Sequence, residues 1–349
     1  MQRVMVAMSG GVDSSVAALL LKRQGNHVVG VTMCLGLTGA GAAMKCCSPE
    51  SINDARAVCD RLDIPHYVLD FGEAFRRNVI EPFIAEYAAG RTPNPCVRCN
   101  QIIKFDLLLA KARAMEFDAL ATGHYARIAR ESGGISLCAP RDAAKDQTYF
   151  LYGIRRENLV FLRFPLEDLT KNEVRALARE EKLSVADKEE SQDLCFVNDD
   201  GYRGLLASGT DAQPGAIVDT DGNRLGTHNG IANFTIGQRK GLGIALGKPR
   251  YVVAIDPATR TVVVGGEPHL MSRGLLIREF NALADAMPPR ALIKIRYAQK
   301  PAPCSVRREH NAISVLFDQP QRAVTCGQSA VLYDGPVVLG GGIINQQIP

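Results

Sequence analysis

The sequence predicts an α/β protein: a doubly wound parallel sheet over residues 1–205, a small β domain over 206–272 and a C-terminal β-barrel over 273–349. Three observations carry that expectation. Residues 3–15 read as strand, glycine turn and helix. Apolar runs then alternate with helical periodicities as far as Thr122, and from about residue 206 the helical spacing gives way to short alternating runs with turn signals.

Residues 4–8, VMVAM, form an apolar run without helical spacing, which suits a buried strand of a parallel sheet. Ser9, Gly10 and Gly11 break it. Val12, Val16, Leu19 and Leu20 then recur at i, i+4, i+7 and i+8, the stripe of an amphipathic helix. Two adjacent glycines let the backbone approach a ligand. The N–H groups of the turn and the first helical turn, with the positive end of the helix dipole, make an anion cradle. A bare Gly-Gly is as a rule only a tight turn. Here Ser9, Ser14 and Ser15 bracket it, and Asp13 is an acid that suits a phosphate site only with a cation between them. The GxxxxGK[ST] signature and its lysine are absent.

Residues 27–33 form the second strand. Residues 34–47, rich in glycine and alanine and carrying Cys34, Cys46 and Cys47, are expected to be a mobile loop. Ser48 and Pro49 start a helix as N-cap and first helical position. Its apolar face is Ile52, Ala55, Cys59 and Leu62, so Cys59 is expected to be a core thiol. Residues 66–71 are the third strand. Phe75, Val79, Ile80, Phe83 and Tyr87 mark a helix that Pro82 bends. Leu107, Leu108 and Met115 fall on a helix beginning near Asn100, and residues 118–122 are the fourth strand. Ligands of such sheets bind at the carboxyl ends of the strands. Residues 9–13, Met33 and Gly123-His124 are therefore expected to face one crevice.

Beyond 206 the strand runs are 216–220, 251–255 and 261–265, with Asp-Gly at 221–222 and a DPATR hairpin loop between the last two. Six more follow at 274–279, 291–297, 304–308, 312–317, 328–332 and 337–343, enough for a closed or nearly closed barrel.

The chain has 349 residues, 46% of them hydrophobic, and a formal charge of +4. No apolar run approaches the roughly 18 residues of a membrane span. No basic-then-apolar leader precedes the first strand, so a cytoplasmic protein with no membrane partner is expected. The ten cysteines read as thiols instead of a disulfide scaffold. Residues 1–205 hold 26 basic and 27 acidic side chains, residues 206–270 hold 6 and 5, and residues 271–349 hold 9 and 5. The basic excess at the end of the chain suits a polyanion, and equally an ordinary solvated face.

Residues 92–100, TPNPCVRCN, are stiffened by two prolines and place Cys99 and Asn100 at the expected start of a helix, beside Arg98. A thiol there should have a lowered pKa and thiolate character. CxxC alone fits a redox pair, half a zinc site, two ligands of an iron–sulfur cluster or two packed thiols. The second CxxC or HxxxH of a complete zinc site is absent. Cys195 lies in the polar stretch KEESQDLCF, which reads as a loop.

SGGVDS after the first strand resembles the pyrophosphate loop of the PP-loop ATPases. That resemblance implies an adenine nucleotide α-hydrolase-like sheet that cleaves ATP between its α- and β-phosphates and passes AMP to an acceptor oxygen. SGGVDSS, CCSPESINDARAVCDRL, TPNPCVRCNQIIKF, ATGHYAR, AAKDQTYFLY, SQDLCFV, FTIGQRKGLG and LGGGII together follow, in order, the pattern of the tRNA-specific 2-thiouridylases from Arg3 to about Ile344.

The resemblance implies ATP-dependent 2-thiolation of the wobble uridine of tRNA. ATP and Mg2+ would occupy Ala7, Met8, Ser9, Gly10, Gly11, Val12, Asp13 and Ser14, with Asp13 on the metal and Met33 and Gly123 around the nucleotide. The C2 oxygen of the flipped uridine would attack the α-phosphate. Cys195 would carry sulfur as a persulfide received from a donor protein, and Cys99 is the second catalytic thiol. Either the persulfide attacks C2, or Cys99 attacks the persulfide, frees hydrosulfide and forms a Cys99–Cys195 disulfide.

Asn94, Pro95 and Cys96 correspond to the family segment at the target base. Lys145, Asp146, Gln147, His124, Arg296, Tyr297 and Gln328 correspond to positions that contact tRNA; DNA is not an expected partner. Read alone, Arg296-Tyr297 suits a phosphate contact beside a stacking platform, or plain surface, and His124 suits a capping histidine. Cys96 departs from family members that carry Asp there. Cys96, Cys99 and Cys195 could instead hold a [4Fe–4S] cluster with an open iron for hydrosulfide, although the persulfide route is favoured. Another PP-loop ligase is a rival that has no need of two reactive cysteines. An RNA-binding iron–sulfur or zinc protein is a rival that has no need of an α-phosphate loop. The choice among tRNAs leaves no local motif.

Overall fold

The structure, a computed structural model, describes residues 1–36, 48–131, 134–189, 194–196, 204–206, 213–244, 247–310 and 312–349. Cys46, Cys47 and the rest of 37–47 lie outside the described residues, as do 191–193 and 197 of the SQDLCFV stretch. The chain forms two compact units. One comprises residues 1–79, 96–197 and 336–338, the other residues 80–95, 198–335 and 339–349.

The first unit is built on β1 (Arg3–Ala7), whose side chains after Arg3 are all buried. Its apolar residues meet α1 (Val12–Arg23) through Val12, Val16 and Leu19. β2 (His27–Cys34) runs parallel to β1. α2 (Pro49–Arg61) starts as the sequence predicts: the Ser48 hydroxyl accepts from the Ser51 N–H at 3.1 Å, and Pro49 follows. Cys59 is fully buried on that helix, and burial pushes its thiol up to about 12. β3 (His66–Asp70) is the sheet edge, which is why Tyr67 and Val68 are exposed.

α3 (Gly72–Phe75) runs through a π-helical turn at Arg76–Ile80 into α4 (Glu81–Ala88). Pro82 lies two residues after the π-helical turn, whose wider winding accommodates a residue without an N–H. α5 (Pro95–Arg98) passes into a π-helical stretch, Cys99–Leu108, and then α6 (Leu109–Ala114). The helix thus begins at Pro95, not near Asn100. Its buried face is Ile103, Phe105, Leu108, Leu109 and Ala112, while Leu107 and Met115 of the expected face are exposed. The i→i+5 winding turns the face away from the one a 3.6-residue period selects.

β4 (Ala119–Thr122) flanks β1 on the other side, with Ala7 level with both Val31 and Thr122. The hairpin of β5 (Arg127–Glu131) and β6 (Gly134–Cys138), the short β7 (Leu162–Arg163) and α7 (Lys171–Glu180) complete the unit. The five-stranded parallel sheet has the order β3-β2-β1-β4-β7, with the doubly wound pattern the sequence predicts.

In the second unit β8 (Gly215–Asp219), β9 (Arg224–His228), β10 (Tyr251–Asp256) and β11 (Thr261–Gly265) form a sheet of order β10-β11-β8-β9. Ile217, Val252, Val262 and Val264 make its core. Asp256 closes the DPATR hairpin by accepting from the Ala258 N–H at 2.9 Å and the Thr259 hydroxyl at 2.6 Å. The barrel follows: β12 (Met271–Ala282), β13 (Arg290–Lys294), β14 (Ala302–Glu309), β15 (Ala312–Arg322), β16 (Ser329–Asp334) and β17 (Val337–Ile348). Its order is β12-β15-β14-β13-β16-β17, and β17 pairs antiparallel with β12 to close it around Leu275, Ile277, Ile293, Val315, Leu332 and Ile344. Among the described residues no helix is long and apolar enough to cross a membrane.

Candidate active site

The carboxyl ends of β1 and β4 build the site in the first unit. Gly10 adopts φ +70°, and a Cβ there would stand 2.3 Å from the Ser51 carbonyl oxygen, so the turn requires glycine. The hydroxyls around the turn tie it shut. Ser14 Oγ accepts from Ser9 N at 3.2 Å and donates to the Gly11 carbonyl at 3.1 Å; Ser15 Oγ donates to the same carbonyl at 2.9 Å. Gly11 caps α1 without a side chain, which leaves the first N–H groups of the helix available to an anion. Gly123 presses β4 against this helix: a Cβ on it would lie 2.6 Å from Ser14 N and 2.7 Å from the Asp13 carbonyl carbon. Ala7, Met8, Val12 and Ser14 are buried, Ser9 is exposed and Met33 is half-buried late in β2.

Asp13 already has a cation. Lys171 Nζ stands 2.8 Å from both of its carboxylate oxygens, and the Tyr125 hydroxyl donates to Oδ1 at 2.9 Å. Lys171 is itself buried, at 8% exposure. It opens α7, whose start is fixed by a capping box between Thr170 and Glu173, and the Lys171 N–H donates to Asp142 Oδ2 at 2.9 Å. Sequence reading missed Lys171 and Tyr125. The Thr170-x-x-Glu173 pattern marks the helix start, but no local signal ties it to an acid 158 residues away.

Asp142 also caps the turn at Ala143–Lys145. Beyond it, Asp146 accepts from the Thr148 N–H at 2.9 Å and its hydroxyl at 2.6 Å. Gln147 exchanges two hydrogen bonds with the Tyr125 backbone, at 2.9 and 3.0 Å. Lys145, Asp146 and Gln147 thus form a braced segment joined to the residue that holds Asp13. His124 is held neutral: burial, and secondly Lys104, push its pKa well below the usual histidine value. Its Nδ1 lies 2.7 Å from the Thr122 hydroxyl, and its ring packs beside Phe105 and Phe164.

Cys96 lies on α5 and Cys99 one turn on. Burial, then the neighbouring Cys195, pushes Cys96 up to about 11, with Lys104 pulling the other way. Burial pushes Cys99 up to about 12 against Lys104, with Cys195 and Cys96 adding to the rise. These shifts correct the expected thiolate. Cys99 sits inside the helix that Pro95 begins, away from its positive end, and desolvation outweighs Lys104. Phe196 anchors Cys195 by packing edge-on against Phe75, centroids 5.7 Å apart. The three thiols therefore lie within one another's electrostatic reach. Among the described residues, however, no group of three His, Cys, Asp or Glu side chains is arranged to hold a metal. Cys59, Cys96, Cys99, Cys304 and Cys326 are free thiols.

In the second unit, the segment before Pro95 is held by the barrel. Thr92 N donates to the Cys326 carbonyl at 2.9 Å, and Gln328 Nε2 donates to the carbonyls of Thr92 and Pro93 at 3.0 and 3.3 Å. Gln328 thus positions the chain that carries Asn94. Arg296 donates to the Ala323 carbonyl at 2.9 Å, and Tyr297, 39% exposed, has Lys294 Nζ 5.6 Å from its ring centroid.

Residues 2–199 match a family described as the tRNA methyl transferase HUP domain, residues 203–266 its PRC-barrel domain, and residues 272–344 an aminomethyltransferase beta-barrel domain. The chain is 50% identical over 348 residues to tRNA-specific 2-thiouridylase MnmA 1 of Syntrophus aciditrophicus, covering 99% of this chain and 94% of the relative. It is 49% identical to the 2-thiouridylases MnmA of Acidithiobacillus ferrooxidans, over 98% of both chains, and of Carboxydothermus hydrogenoformans, over 99% of this chain and 98% of the relative.

Proposed function

The chain belongs to the tRNA-specific 2-thiouridylase family, and from that membership we propose that it uses ATP to replace the C2 oxygen of the wobble uridine of tRNA with sulfur. The observation that carries this reading is the Asp13–Lys171 pair on an uncapped glycine turn, in the same unit as three interacting thiols. Methyl transfer, the chemistry in the family description, has no use for that combination.

Residues 7–14 would bind ATP, with Met33 and Gly123 beside the nucleotide. A single carboxylate with substrate phosphates is how Mg2+ is commonly held, so Asp13 fits that ion. Bound there, Mg2+ would neutralise charge on the departing phosphates. Were Asp13 to hold the metal, Lys171 would remain as a second cation at the turn. The uridine C2 oxygen attacks the α-phosphate, the bond to pyrophosphate breaks, and AMP becomes the leaving group on C2.

Cys195 supplies sulfur from a persulfide received from a donor protein. Attack of its terminal sulfur on C2 expels AMP, and Cys99 then attacks Cys195 Sγ, releasing the thiocarbonyl and forming a Cys99–Cys195 disulfide. In the other order Cys99 attacks first and hydrosulfide adds to C2. Cys96, Cys99 and Cys195 do not form a metal-ligand group among the described residues, and the persulfide route uses no cluster.

Asn94, Pro95 and Cys96 would meet the target base. His124, Lys145, Asp146 and Gln147, with Arg296, Tyr297 and Gln328, would meet the tRNA. We assign catalysis to residues 1–205 and tRNA binding chiefly to the barrel at 273–349, with the small β domain at 206–272 between them in sequence. The cytoplasm, where tRNA is modified, is the expected compartment.

Pyrophosphate release with and without bulk tRNA tests the reading. Release should depend on tRNA and vanish in Asp13→Ala, while Cys195→Ser keeps release and loses thiolation. Tight tRNA binding without any tRNA-dependent pyrophosphate would sink it.

A further inference from the structure

The stretch at 234–243, FTIGQRKGLG, has no part in the chemistry above, yet it borders a cavity of about 590 Å³ in the second unit. Arg239, Lys248 and Arg250 line it together with Gly241, Leu242 and Ile244, and among the described residues no acidic side chain does. The apolar wall is anchored. Leu242 is 7% exposed in the core of the β8–β11 sheet, and Ile244 lies so close to Gly226 that a Cβ there would come within 2.9 Å of it.

The three cations have no hydrogen-bond or ion-pair partner among the described residues. Arg239 and Lys248 are exposed, whereas Arg250 Nε is cut off from solvent without an acceptor. The acid that feels Arg250 is Asp219, and its carboxylate is already spent on the β8–β9 turn. It accepts from the N–H groups of Asp221 and Asn223 and from Asn223 Nδ2, at 3.0, 2.8 and 3.0 Å. A buried donor without an acceptor, among like charges, calls for an anion. A guanidinium offers phosphate oxygens a fork of parallel donors. Another guanidinium lies near this stretch: a Cβ on Gly237, two residues ahead of Arg239, would lie 3.7 Å from Arg296 Nη2.

We propose that the Arg239–Lys248–Arg250 cavity is a backbone-phosphate site for RNA, taking phosphodiester groups of a bound tRNA. This rests on the reading of the chain as a tRNA-modifying enzyme. It adds the small β domain to the RNA-binding surface, as a contact that positions without reading sequence.

The test is filter binding of bulk tRNA by the full chain from 50 to 300 mM KCl (about the range over which such contacts are screened). The variants are Arg239→Ala/Lys248→Ala, at two exposed positions, and Arg250→Gln. The double variant should bind tRNA about tenfold more weakly at low salt. Its plot of log K against log[KCl] should flatten by about 1.4 to 1.8, two phosphate contacts' worth. Arg250→Gln should flatten it by about half as much. Far-UV circular dichroism and ATP affinity should match the parent in both, which separates loss of a contact from loss of fold and a tRNA phosphate from a nucleotide phosphate. Parental tRNA affinity and slope in the variants would overturn the site and favour an acidic protein surface as its occupant. Weaker binding at an unchanged slope would overturn it too. A parent chain that binds no tRNA would instead overturn the tRNA reading itself.

Discussion

The ion pair at the glycine turn makes a quantitative prediction. Lys171 and Asp13 meet through two 2.8 Å contacts, but their side chains differ in exposure, 10% for the lysine and 31% for the aspartate. Removing one partner of a fully buried pair costs about 3–5 kcal/mol, and an exposed pair is worth about 1 kcal/mol or less. Lys171→Met leaves an aspartate that water can reach and that keeps the Tyr125 hydroxyl, so about 2 kcal/mol is expected. Asp13→Asn leaves the more deeply buried ammonium without a counter-charge, so at pH 7 it should cost more than Lys171→Met. The double variant should cost less than the two singles together, by about 1 kcal/mol or more.

The assay is thermal unfolding by circular dichroism of the parent, both singles and the double, where 2 kcal/mol corresponds to about 4–8 °C for a unit of this size. ATP affinity, measured on the same four proteins, should fall in every variant. If the singles add within about 0.5 kcal/mol, or if Lys171→Met proves the costlier change, Asp13 and Lys171 do not act as a coupled buried pair.

Three further outcomes follow from the geometry. Raised thiol pKa values near 11 and 12 keep Cys96 and Cys99 protonated, so alkylation of Cys99 by iodoacetamide in the free protein should stay slow through about pH 9, where an ordinary thiol is largely ionised. Lys104→Met should slow it further, and an ordinary thiol titration near pH 8.5 would refute the burial. Gly123→Ala drives a methyl into the backbone of Asp13 and Ser14; it should destabilise the first unit by about 1–3 kcal/mol and weaken ATP binding, and an unchanged ATP affinity would contradict it. Glu86 accepts from Arg91 at 2.7 and 2.8 Å and from Arg278 at 3.3 Å, and the Arg91 hydrogen bonds, foremost, hold its carboxyl below the usual range. A depressed carboxyl stabilises above its unfolded pKa of about 4.3 and loses that stabilisation as pH falls through the folded value. Glu86→Gln should therefore cost about 1–2 kcal/mol at pH 7 and progressively less in acid; a pH-independent difference would rule the network out.

What could be read from the residues divides along physical lines. β1 and its turn were legible because an uninterrupted apolar run and a glycine pair are local signals, and the barrel because each strand carries its own alternation. The helix at Pro95 was not: its π-helical winding moved the buried face off the expected period, which exposed Leu107 and Met115 and put Cys99 inside the helix. The Cys99 shift was misjudged for that reason, since a dipole argument fails one turn in and enclosure decides the pKa. Lys171 lay beyond sequence reasoning altogether. Its role depends on α7 packing beside α1 and delivering a side chain to Asp13, and only tertiary structure records that.

Closure of the barrel bears on how the chain matures. One edge of β12 is covered early by β15, but its other partner is β17: Gly274 pairs with Ile348, 74 residues later. At a synthesis rate of about 5–20 residues per second, that edge waits about 4–15 s for its partner on a translating ribosome. During that interval Leu275 and Ile277 lack the covering they have in the finished barrel, beside an open ladder of the kind that recruits foreign strands. Arg273, Arg278 and Glu279 punctuate the strand with charge, a guard for the nascent chain, and in the finished protein Arg278 turns to Glu86.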